Sequence, residues 1–191
     1  MKRILLAIIT LCFIITGCVS NPQDDVSDGV QEHIEVSEDE KKEIISDFLV
    51  EFFNFNCNDR YDTLMETIEN DDTVADINTE NEGIIPITQV QEKAIETYYE
   101  ELAQYVTKDC LDTMQANRFP VQLDKFVKEK GLEESIDYIE LSIYDENTYS
   151  YRVYFEGKDG EESYFGEGLA GQVSIEMIDG EVKVSSIAIV Q

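Results

Sequence analysis

Tryptophan is absent from the 191-residue chain, histidine occurs once and proline three times. Cationic side chains are also scarce, with 14 Lys and Arg set against 42 Asp and Glu for a formal net charge of -28. Each shortage closes off a class of function. Phosphate backbones need a concentrated basic patch, and the few cations here are scattered along the chain, which excludes nucleic acid as a partner. The single histidine, His33, leaves the rest of the chain without an imidazole to activate a cysteine nucleophile. No apolar run approaches the roughly 20 residues that a permanent membrane-spanning helix requires. What the chain does have is a hydrophobic fraction of 42% with 9 Phe and 10 Tyr. That is enough apolar side chain for one real core, and it argues against global disorder despite the charge.

The start of the chain has the layout of a secretory signal. Met1, Lys2 and Arg3 form a charged segment, Ile4 to Ile15 are almost entirely apolar, and Thr16 and Gly17 are small residues before Cys18. The ending Ile15-Thr16-Gly17-Cys18 resembles the bacterial lipobox. In that family the cysteine thiol receives a diacylglyceryl group and a dedicated peptidase cuts before it. The resemblance implies a signal peptide over residues 1–17, a mature protein beginning at lipidated Cys18, and a location on the cell membrane facing outside the cytoplasm. Two acyl chains hold a protein far more firmly than one, because each buried CH₂ adds roughly 0.8 kcal/mol. Cys12, within the apolar run, leaves with the signal. Removing Lys2 and Arg3 from the 14 basic residues leaves 12 against 42 acids, a net of -30.

Residues 18–36 carry Asn21, Pro22, Asp24, Asp25, Asp28 and Gly29 with isolated apolar residues and no period, a composition expected of a flexible acidic tether. Eighteen or so such residues reach roughly 25 Å. His33 lies in this strip and reads as a solvated side chain.

The remainder, residues 37–191, reads as one α+β domain. Ser37-Glu38-Asp39-Glu40 fits a capping box, and Ile44, Ile45, Phe48, Leu49, Phe52 and Phe53 follow at helical spacing. A shorter helix is expected from Asp59 to Glu69, then a polar, exposed loop over residues 70–83. Thr88-Gln89-Val90-Gln91 opens a second long helix, whose stripe Ala94, Ile95, Tyr98, Leu102 and Val106 predicts continuation to about Lys108. Leu111 and Met114 suggest one more turn, and Leu123, Phe126 and Val127 a short helix closed by Gly131. From Ile136 the period becomes two, predicting four antiparallel strands in a meander. Asp145-Glu146-Asn147, Lys158-Asp159-Gly160 and Asp179-Gly180 are the expected turns, the Asp-Gly pairs fitting tight hairpins. Gly166, Gly168 and Gly171 are expected to interrupt the third strand with bulges or a bend that curves the sheet. The order of elements, and the stretch from Tyr98 through Tyr105-Val106-Thr107-Lys108-Asp109-Cys110 to Asn117-Arg118, is similar to the nuclear-transport-factor-two-like fold. That resemblance implies N-terminal helices packed on a curved, cone-like four-stranded sheet with a cavity, used for catalysis by some members and only for binding or assembly by many secreted bacterial ones.

Among chemically interesting residues, Cys57 and Cys110 survive in the domain and fit either a disulfide or two separate buried thiols. A disulfide closing a loop of about 50 residues contributes on the order of 4 kcal/mol in the chain-entropy model. Asp112 and Glu140 are carboxylates without any feature that marks a general base. Asp71, Asp72, Asp76, Asn78, Glu80 and Glu82 supply clustered oxygens but lack the ordered calcium-loop pattern with its distal bidentate Glu. Alternation puts Tyr149 and Tyr151 on one face of their strand and Tyr154 on the other. These readings assign no catalytic, metal or cofactor residues. They point to a membrane-anchored binding or interaction module with a protein partner in the cell envelope, and alternatively to a small-ligand receptor or divergent enzyme using the cavity of the fold.

Overall fold

Helix formation begins where the sequence supplies a cap. In the computed structural model, which describes residues 36–55, 60–71 and 87–190, Ser37 is extended and its side chain accepts a hydrogen bond from the Glu40 amide at 3.3 Å. Helix α1 (Glu38–Phe52) follows, with acids in the first turn facing the positive end of its dipole. Its apolar stripe buries Ile45, Phe48, Leu49 and Phe52, each worth about 1.5–3 kcal/mol when fully removed from water. Helix α2 (Arg60–Glu69) buries Leu64. Helix α3 (Gln89–Ala103) opens with both halves of a capping box between Thr88 and Gln91.

The expected run of α3 to Lys108 is corrected by the structure. The helix stops at Ala103, and Val106 leaves it to form a parallel bridge with Val184. Two backbone bonds hold that crossing, Thr107 N–H to Val184 O at 2.9 Å and Val184 N–H to Tyr105 O at 2.8 Å. Thr107 then caps a separate ten-residue helix, α4 (Lys108–Asn117), by accepting from the Cys110 amide at 3.2 Å. A cap plus two strand-type bonds outweigh one further helical turn around the β-branched Val106. Helix α5 (Val121–Lys130) ends at Gly131, whose φ of 63° is the left-handed conformation expected there.

Four antiparallel strands complete the chain in the order β1 (Glu134–Asp145), β2 (Thr148–Gly157), β3 (Leu169–Ile178) and β4 (Glu181–Val190), each hydrogen-bonded to the next. Helices α1 and α4 lie against this sheet, and the residues of the inner face interlock with theirs in one hydrophobic core. Tyr149, Tyr151, Val153 and Phe155 of β2 point into that core, whereas Tyr154 points outward and stacks on Tyr138 with ring centroids 4.2 Å apart. Phe53 at the end of α1 meets Tyr151 and Phe155, both with centroids at 6.0 Å.

The β3–β4 hairpin turns on Asp179 and Gly180, both with positive φ (52° and 86°), as a two-residue Asp-Gly turn of the I′ kind demands. Asp159-Gly160 behaves differently. It lies in a 3-10 turn, and β3 does not begin until Leu169, so the expected tight hairpin is replaced by a longer connection. Gly166 and Gly168 belong to that connection, which leaves Gly171 alone inside β3. The register shifts fall opposite β2 within β1 and at Ser185 of β4, not at the glycines. Gly171 answers a different need: a Cβ there would lie 1.9 Å from Ala188 O and 2.6 Å from the Tyr151 hydroxyl. Its absence lets Tyr151 cross beneath β3 and donate to Ala188 O at 3.1 Å.

Candidate functional site

The end of α1 leaves carbonyl oxygens without helical partners, and its last turn contains no basic residue. The cation comes instead from the first residue of α2. Arg60 Nη1 donates to Glu51 O and to Glu51 Oε1, both at 3.2 Å, and Nη2 reaches Phe52 O at 3.4 Å. Its Nε donates to Asp124 Oδ2 of α5 at 3.1 Å, with only 9% and 6% of the two side chains exposed. The Tyr98 hydroxyl of α3 donates to the same Asp124 oxygen, and the Arg60 guanidinium lies 5.2 Å from the centre of the Tyr98 ring. One buried polar knot therefore joins α1, α2, α3 and α5.

Burial raises Asp124 above the ordinary carboxylate range, while the Arg60 charge and the bonds from Tyr98 and Arg60 pull it back down. The other carboxylate oxygen, Oδ1, is buried without a hydrogen-bond partner among the described residues. The Tyr98 hydroxyl is driven well above its ordinary value by burial and then by the Asp124 charge, so it acts only as a neutral donor. Arg60 stays charged, because Asp124 and Glu51 offset the burial that works against it. All three of its guanidinium nitrogens donate to protein acceptors, which makes the group a clamp.

At the edge of the knot Glu51 is raised above its ordinary value near 4.5, first by burial and then by a hydrogen bond and like charge from Glu101 of α3. Two carboxyl groups can share such a bond only when one holds a proton. Glu101 also forms part of the wall of a groove of about 770 Å³ between α2 and α3. Leu64, Val90, Ala94 and Tyr98 give the groove its apolar surface, and Thr63, Thr67 and Thr97 its neutral polar one.

The residues marked in the sequence are dispersed. Cys18, Cys57 and His33 lie outside the described residues, as does the acidic segment after Asp71. Asp71 itself is buried and accepts from the Thr88 hydroxyl. Cys110 is buried on α4 with Sγ 3.9 Å from Met114 Sδ, and burial pushes its thiol up to about 11. Asp112 is exposed and pairs with Lys108 one turn away on α4. Glu140 is exposed on the outer face of the sheet, accepting from Tyr154 at 3.1 Å. The knot of Arg60, Asp124 and Glu51 was not anticipated. The available signal was Asp124 itself, an acid three residues before Val127 on the apolar side of a helix, where a charge requires a partner.

No family model, curated protein or solved structure matches the chain.

Proposed function

We propose that the protein is an exported bacterial lipoprotein, held to the cell membrane by a diacylglyceryl group on Cys18, whose α+β domain works outside the cytoplasm by binding a partner rather than by catalysis. The observation that carries the reading is Ile15-Thr16-Gly17-Cys18 at the end of a short apolar run. In this reading the residues after Cys18 act as a tether, and the sheet curves around the helices in the cone-like arrangement that the order of elements suggests. The packing supports a module that acts through its surface, since Phe48, Phe52, Phe53, Tyr99 and Tyr149 fill the space where helices and sheet meet. Metabolic labelling with a fatty acid tests the anchor: the wild type takes up label and fractionates with membranes, and Cys18→Ala does neither. Equal labelling and fractionation of the two proteins refutes the anchor.

A second reading, a small-ligand receptor or divergent enzyme, is favoured by the polar groups that Tyr98, Arg60 and Glu101 bring to the α2–α3 groove.

A further inference from the structure

We propose that the groove between α2 and α3 is a docking site for a basic amphipathic helix of another protein. The inference rests on the reading of the domain as an interaction module and supplies that module with its surface. Arg60, Thr63, Leu64 and Thr67 line the groove from α2 at spacings of three and four, and Val90, Ala94, Tyr98 and Glu101 repeat the spacing on α3. Two helices side by side leave a trough that a third helix fills with its own apolar stripe. At about 15 Å for α2 and 22 Å for α3, the stretch walled on both sides has room for roughly three turns. Its floor is apolar and partly open to solvent, with Val90 43% exposed at one end beside Ile87 at 65%.

The charge around the groove chooses the sign of the occupant. Glu100 and Glu101 line the groove beside Lys93 and the already paired Arg60, and Glu66, Glu69, Glu92 and Glu96 are exposed elsewhere on the same two helices, where Lys93 is the one exposed cation. A second copy would bring the same acids against these, and an anionic bilayer would be repelled in the same way. An incoming helix with lysines and arginines beside its apolar stripe meets the floor, Glu100 and Glu101 together, within the acidic field of the two helices. Charge alone attracts any cation; the apolar floor makes the site selective for cations arranged at helical period.

The test uses a synthetic leucine–lysine peptide of about 14 residues, roughly 21 Å as a helix. It carries one tryptophan on its apolar face, which reports without background because the protein has none. Full-length protein in neutral phosphatidylcholine vesicles is titrated against protein-free vesicles as blank. The expected result is saturable one-to-one binding with a blue shift, and binding at least about tenfold weaker for a scrambled peptide of the same composition. Ala94→Arg, which fills the floor, weakens binding at least about tenfold, whereas Glu176→Lys on the opposite sheet leaves it within about twofold. Val90→Lys, at an exposed position, serves if Ala94→Arg fails to fold. Equal binding of the scrambled peptide, or equal loss in Glu176→Lys, reduces the effect to net charge and overturns the proposal. So does a dimer that the peptide dissociates, which would make a second copy the occupant. A tenfold gain when residues 72–86 are replaced by a glycine–serine linker makes the chain's own segment the occupant and equally overturns it. Labelling at Cys18 reads separately, so a labelled protein that ignores the peptide removes the docking site and leaves the anchored module standing.

Discussion

Arg60 ties four helices together, because a cation at the first residue of α2 does work for three other helices. It neutralises the carbonyl end of α1, pairs with Asp124 of α5 and lies over Tyr98 of α3. Removing one member of a buried pair strands the other, which costs about 3–5 kcal/mol, whereas replacing the pair by apolar groups of similar volume is often neutral. Arg60→Ala is therefore expected to destabilise the domain by that amount in urea denaturation. Arg60→Met with Asp124→Leu, and Tyr98→Phe to remove the hydroxyl left without an acceptor, recovers most of the loss. Additive losses in the combined variant would show that these side chains do not act as a unit. Little of this was legible beforehand. Tyr98 reads correctly as a core position from its spacing, but its hydroxyl needs an acceptor 26 residues away in sequence, and periodicity carries no information about such pairings.

Individual elements were more legible, for reasons that differ along the chain. The caps at Ser37 and Thr88, the stop at Gly131 and the Asp179-Gly180 hairpin are local chemistry, and local chemistry is written in adjacent residues. The break between α3 and α4 is not local, since the competitor of the helix is a strand 78 residues later, Val106 with Val184. Asp159-Gly160 has the backbone of a turn but not the strand that would make it a hairpin. Gly171 shows why spacing misassigns glycines: the reason for it is Tyr151 on the neighbouring strand. Gly171→Ala is expected to cost about 3 kcal/mol or more, because overpacking against a backbone oxygen cannot be relieved by a side-chain rotation. Thr107→Ala, which removes only the cap of α4, is expected to cost about 1 kcal/mol. Thermal melts of the two variants rank them, and a larger loss in Thr107→Ala would contradict the close approach at Gly171.

At the scale of the whole molecule the excess of acid makes stability depend on pH in a defined direction. Glu51 is raised in the folded state, so its contribution is fully present below about 4.5 and is lost as pH rises through the raised value. Lowering the pH from neutrality also relieves the mutual repulsion of a chain at -28. Both effects raise the melting temperature on mild acidification. Glu51→Gln removes the first and keeps almost all of the second, so its melting temperature is expected to climb less between pH 7.5 and 5.5. Identical climbs would assign the whole effect to net charge.

The bridge from Val106 to Val184 also has a consequence for how the molecule meets its neighbours. β4 ends the sheet, and an outermost strand offers unused amides and carbonyls to any chain that can run alongside it. The α3–α4 junction already engages the middle of that rim through Tyr105, Thr107 and Val184, and Lys183 adds a bond to Gln104 O at 2.8 Å. A foreign strand seeking to lengthen the sheet there would first have to expel a segment of the protein's own backbone. Wherever two copies meet at this rim, that built-in stopper works against the joining of one sheet to the next.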